Sequence, residues 1–126
     1  MYIDSHTHLY SNQFDDDRAD VVQAAKNAGV EQVFMPAIDS THFKAMEAME
    51  LADQSWVKLM IGLHPCSVNA DWKNELAFVE SQLSNRNFAA IGEIGVDLHW
   101  DNTFLTQQIE VMKAQCDLAL AYQLPV

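Results

Sequence analysis

Basic side chains are scarce: 7 Lys and Arg stand against 18 Asp and Glu, a net charge of −11 over 126 residues. That balance argues against a nonspecific basic clamp on nucleic acid, which needs cations facing phosphates. It leaves room for a nuclease whose bound metal ions supply positive charge locally. The 2 cysteines, Cys66 and Cys116, form no CxxC and no disulfide framework, so a reducing cytoplasm is the expected home. No apolar run approaches the roughly 18 residues of a membrane span, and no basic-then-apolar leader precedes the first strand pattern. Low-complexity stretches and long linkers are absent. The first strand-to-helix turn carries neither GxGxxG nor GxxxxGK[ST], which disfavours a dinucleotide or P-loop site. Glycine is rare too, and 3 of the 4 glycines fall in two short motifs, GLHP and GEIGVD.

What is present is alternation. Strand-like segments occupy residues 2–8, 30–37, 56–62 and 89–96. Helical patterns fill the gaps. Residues 15–28 carry Val21, Ala25 and Ala28 on one stripe, with Asp15, Asp16 and Asp17 at the helix start and Gly29 as its stop. Residues 41–54 carry Met46, Met49 and Leu51 or Ala52 as core. Residues 71–84 carry Leu76, Val79 and Leu83, with Asp71 as N-cap. Residues 103–122 carry Ile109, Met112, Cys116, Ala119 and Leu120. Four such units suit right-handed parallel crossovers, in an open doubly wound sheet or a (β/α)₈ barrel. A barrel takes about 200–250 residues, so this length supplies roughly its first four βα units. Leu124-Pro125-Val126 reads as the first step of a fifth strand, and the expectation is the N-terminal half of a barrel, residues 1–126, truncated before strand 5 is complete.

The chemistry-bearing residues cluster at expected strand ends. In MYIDSHTHL, Asp4, His6 and His8 are spaced two apart, which on a strand places them on one face. Two neutral imidazoles there can hold a divalent ion, with Asp4 orienting one from behind. Gly62-Leu63-His64-Pro65 closes the third strand, and His64 becomes a neighbour of metal or substrate, or a histidine bonded to its own loop. In Gly92-Glu93-Ile94-Gly95-Val96-Asp97, Glu93 and Asp97 share parity across the small Gly95. A carboxylate in an apolar strand needs a cation. A metal bridge satisfies Glu93, as would an ion pair with one of the few bases. His42 reads as solvated in a first helical turn, and His99 as a loop residue able to reach substrate.

DSHTHL at 4–9, GLHP at 62–65 and GEIGVD at 92–97, in this order, closely resemble the TatD-type metal-dependent hydrolases of the amidohydrolase superfamily. The glutamine-bearing helix with Gln107, Gln108 and Gln115 and the LPV ending are similar as well. The resemblance implies a TIM barrel with one or two divalent ions (Zn, Mn or Mg) at its C-terminal face. It implies His6 and His8 as ligands of the first ion and a catalytic Glu93 between ions; the spacing and strand-end positions put Asp4, His64 and Asp97 in supporting or substrate-binding places beside them. It implies a deoxyribonuclease with DNA as substrate, and further ligands and a general base from strands beyond residue 126. Leu98-His99-Trp100 departs from the aromatic pair the family more often carries there. Two other readings stay open: a related barrel hydrolase of an amide, lactone or phosphotriester, and an inactive half-barrel or interaction module associating through exposed sheet edges.

Overall fold

Four short strands lie side by side in chain order, each handed to the next by a helix, in a computed structural model describing residues 1–126. The elements are β1 (Tyr2–Asp4), α1 (Arg18–Asn27), β2 (Val30–Met35), α2 (Ser40–Ala52), β3 (Val57–Ile61), α3 (Trp72–Asn85), β4 (Ala90–Ile91) and α4 (Leu105–Tyr122). Turns of 3₁₀ helix at Asn12–Phe14 and Pro65–Ser67 follow β1 and β3. Every strand pair is parallel. The order β1-β2-β3-β4 never reverses, whereas a doubly wound sheet reverses at a switch point. These are four successive βα units of a (β/α)₈ barrel. No helix is long and apolar enough to cross a membrane.

The two central strands alternate strictly. Val33, Met35 and Ala37 in and after β2, and Val57, Leu59 and Ile61 in β3, are all buried beneath the helices. Phe43 and Met46 from α2 and Val79 and Leu83 from α3 close over them. Each fully buried side chain of this kind contributes about 1.5–3 kcal/mol. The opposite faces of the strands line an open trough of about 450 Å³ bordered by Phe34, Pro36, Met60 and Ile91.

The strands are shorter than the sequence suggests, at their C-terminal ends above all. β1 stops at Asp4, β2 before Pro36, and β4 after only two residues. There the chains leave the ladder and bond across it. Ala37 N–H donates to Gly92 O at 2.9 Å, and Glu93 N–H donates to Ala37 O at 3.1 Å, so β2 and β4 meet over the end of β3. Gly62 permits this crossing, because a Cβ there would sit 2.8 Å from the Gly92 carbonyl carbon.

Helix edges also shift. Asp15 to Asp17 precede α1 rather than opening it, and Asp15 pairs instead with Arg18. Asp71 is the N-cap residue of α3, but its carboxylate accepts from the Asn74 side chain and leaves the helix amides uncapped. Gly29 follows α1 with φ +89°, as a helix stop should. Ala28, Leu51 and Ala52, expected in the core, are exposed.

α4 is rotated from its expected stripe. Gln108, Val111, Gln115 and Ala119 are buried, while Ile109, Met112 and Leu120 are exposed. The buried glutamines are paid for by backbone partners: Gln115 accepts from Leu63 N–H at 2.7 Å and donates to Leu63 O at 3.2 Å. Gln108 brackets Asp97 the same way, at 2.8 and 3.1 Å.

Candidate metal centre

His6 and His8 are not strand residues. The alternation of a strand therefore does not bring them together; the irregular segment after β1 does. Thr7 between them keeps one bond to β2, donating to Phe34 O at 3.1 Å. Asp4 turns to the backbone, its carboxylate accepting His6 N–H at 3.1 Å rather than meeting an imidazole. Glu93 arrives from the β2–β4 crossing.

The three side chains form a small triangle. His6 Nε2 and His8 Nε2 are 3.1 Å apart. Glu93 Oε2 lies 3.1 Å from the first and 3.5 Å from the second. These are the cluster of metal-ligating atoms that the fold assembles. A tetrahedral ion with bonds of about 2.0–2.1 Å spaces its ligands roughly 3.3–3.4 Å apart. The triangle has the size of one face of such a shell, and two nitrogens plus a carboxylate are a donor set that suits a divalent ion.

No lysine or arginine pairs with Glu93; the side chains facing its carboxylate are the imidazoles of His6, His8 and His64. His64 enters from the far side. Its Nδ1 accepts Cys66 N–H at 3.0 Å, so the neutral ring carries its proton on Nε2, which points at Glu93 Oε1 at 3.1 Å. His64 thus bonds its own loop through Nδ1 and faces Glu93 through Nε2.

Burial holds the His8 pKa below the ordinary imidazole value, and a neighbouring His6 charge adds to the effect against the opposing pull of Glu93. A neutral ring is what a metal requires. Burial also raises the Tyr10 phenol, with Glu93 and Asp39 contributing.

Asp97 stands apart from Glu93. β4 ends at Ile91, and Gly95, at φ +154°, breaks any shared strand face. The Asp97 carboxylate accepts His99 N–H at 2.8 Å, the main reason its pKa is lowered. Burial and that carboxylate together push the Cys66 thiol up. His99 packs edge-on to the exposed Trp100 on the following loop.

Two contributors, Tyr10 and Asp39, escaped the sequence reading, and two glutamines had entered it only as part of the family resemblance. Tyr10 lies directly behind His8. Asp39 collects bonds from Thr41, His42 and Ser67, and these outweigh burial to keep its carboxyl low. His42 is thus half-buried and partnered, not solvated, because Asp39 caps the same helix turn. Gln108 and Gln115 hold the Asp97 and His64 loops from α4. Their spacing of two helical turns was the available signal, two polar residues in register with Val111 and Ala119.

Residues 3–126 match the family model described as TatD related DNase. A Bacillus subtilis protein named "Uncharacterized metal-dependent hydrolase YabD" is 34% identical over 127 residues, covering 100% of this chain and 49% of that protein. The "3'-5' ssDNA/RNA exonuclease TatD" of Erwinia billingiae is 28% identical over 119 residues, covering 94% of this chain and 45% of its own length. Among solved structures, the TatD homologue YjjV of Escherichia coli superposes with a TM-score of 0.88 at 31% identity, over 99% of this chain and 49% of that one. The chain spans about half the length of the curated relatives it matches.

Proposed function

We propose, from the premise that this chain belongs to the TatD related DNase family, that His6, His8 and Glu93 are the N-terminal part of a divalent-metal centre hydrolysing phosphodiester bonds of DNA. The observation that carries the reading is the triangle of two imidazole nitrogens and one carboxylate oxygen within 3.5 Å of one another. A divalent ion bound there, Zn, Mn or Mg, supplies an activated water and counter-charge for a phosphate.

The chain's own residues have separable tasks. His6 and His8 offer lone pairs on the barrel's C-terminal face. Glu93 offers Oε2 to the same point, and its second oxygen is held by His64. That 3.1 Å contact orients the carboxylate, so its other oxygen faces the imidazoles. Asp97 shapes the loop beyond Glu93, and Asp4 holds the backbone at His6. The acidic surface gives no basic groove, so a phosphate must be recognised through cations at the site. Residues 1–126 are read as the first half of the barrel, with the remaining ligands and the general base on strands outside them.

The test uses a protein carrying the whole barrel. Hydrolysis of single-stranded DNA should require a divalent ion, stop with chelator, and be abolished by Glu93→Ala with circular dichroism unchanged. Undiminished cleavage by folded Glu93→Ala would sink the assignment. Cleavage of amides, lactones or phosphotriesters in place of DNA would move the substrate and keep the metal centre.

A further inference from the structure

We propose that Tyr10 is a positioning residue that locks His8 in its Nδ1–H tautomer and thereby directs the Nε2 lone pair at His6 and Glu93. The inference rests on the metal-centre reading above and deepens it.

The argument is one of counting protons. Tyr10 is buried, 3% exposed, and its hydroxyl oxygen lies 2.6 Å from the Pro36 carbonyl oxygen. A carbonyl only accepts, so the single phenolic proton is committed to Pro36. The same hydroxyl oxygen lies 2.6 Å from His8 Nδ1. With its proton spent, the oxygen can only accept there, and Nδ1 must carry a hydrogen. A neutral imidazole has one N–H, which leaves Nε2 bare. That nitrogen is the one facing His6 and Glu93.

The acceptor is itself held in place. Pro36 directly follows β2 and is buried, so its carbonyl is held in place at the strand's end. The Tyr10 ring packs edge-on against His8 on one side and His42 on the other, at centroid distances of 5.5 and 6.1 Å. Asp39 anchors His42 in turn, 2.7 Å from Nδ1. His64 shows the contrast. A backbone N–H at its Nδ1 forces the opposite tautomer, so it meets Glu93 as a donor. Two histidines address one carboxylate with opposite ring chemistry, and each setting comes from what lies behind the ring. Partners behind a ligating histidine commonly alter metal affinity by about 10–100-fold when removed.

The experiment uses a ¹⁵N-labelled protein carrying the whole barrel, stripped of metal, with the His8 ring assigned through His8→Gln. Long-range ¹H–¹⁵N correlations should show His8 with a pyrrole-type Nδ1 and a pyridine-type Nε2. Tyr10→Phe keeps the ring and removes the acceptor; it should lose that bias and bind Zn²⁺ at least about tenfold more weakly. An Nε2–H tautomer in the wild type overturns the proposal without recourse to any variant. So does a Tyr10→Phe protein that keeps the wild-type tautomer or the wild-type Zn²⁺ affinity. A wild-type Nδ1–H ring with no response to Zn²⁺ fells the metal centre and Tyr10's role toward it, while the hydrogen bond itself stands. A Zn²⁺ response from an Nε2–H ring fells Tyr10's role and leaves the metal centre.

Discussion

His8 and His64 meet Glu93 from opposite sides, and the difference predicts different losses. Asn at position 64 can still accept Cys66 N–H but has no donor long enough for Glu93 Oε1. His64→Asn should weaken Zn²⁺ binding by about tenfold, by calorimetry, through a freed carboxylate. His8→Asn removes a donor atom and should abolish detectable binding. Equal losses would mean that His64 is itself a ligand. His6, His8, Glu93 and His64 were legible in the sequence because their residue types are expensive to place without a partner. Tyr10 was not, because a tyrosine beside Leu9 looks like ordinary core. Only the fold reveals that its hydroxyl sits between a strand-end carbonyl and an imidazole. Asp4 shows the converse: its parity with His6 and His8 was visible, but the strand that would give parity a meaning ends at Asp4.

Elements set the site through what they lack and what they bury. A Cβ on Gly62 would meet backbone atoms of Gly92 and Glu93, which cannot step aside. A Cβ on Gly92 would meet the terminal methyl of Met60, which can swing away into the trough. Gly62→Ala should therefore cost about 1–3 kcal/mol in urea denaturation, and Gly92→Ala less than about 1 kcal/mol. The reverse order would mean that the β2–β4 crossing is not tight. Gln115→Leu removes both partners of the buried Leu63 amide and carbonyl. At about 1–3 kcal/mol for each orphaned group, a loss of roughly 2–6 kcal/mol is expected in the same measurement. The expected stripe on α4 failed because periodicity assigns the buried face to apolar residues. Here two loop backbones demanded amide side chains instead. A surface joint gives the pH prediction. The Lys26 ammonium, 2.7 Å away, and the Ser55 hydroxyl hold the Asp53 carboxyl down to about 2, below the usual unfolded value of about 3.9. A depressed folded pKa stabilises above the unfolded value and loses its effect as pH falls through the folded one. The urea midpoints of wild type and Asp53→Asn should therefore differ at pH 5 and converge near pH 2.

For the molecule as a whole, the order of the strands could be read and their ends could not. The alternation of strand-like and helix-like segments carried four parallel units through the sequence, with each helix in its place. The C-terminal ends were overestimated because the chain stays extended there while its hydrogen bonds turn across the sheet. The site belongs to those turned ends. The trough between Phe34, Met60 and Ile91 has a different consequence. A dye such as ANS brightens on exposed apolar surface, and such brightening is a hallmark of molten globules. This chain should light up that dye while its side chains are fully ordered. Near-ultraviolet dichroism from the buried Trp56 should stay intact at the same time. Brightness would then report the open inner face of these four βα units, and not a loss of side-chain packing.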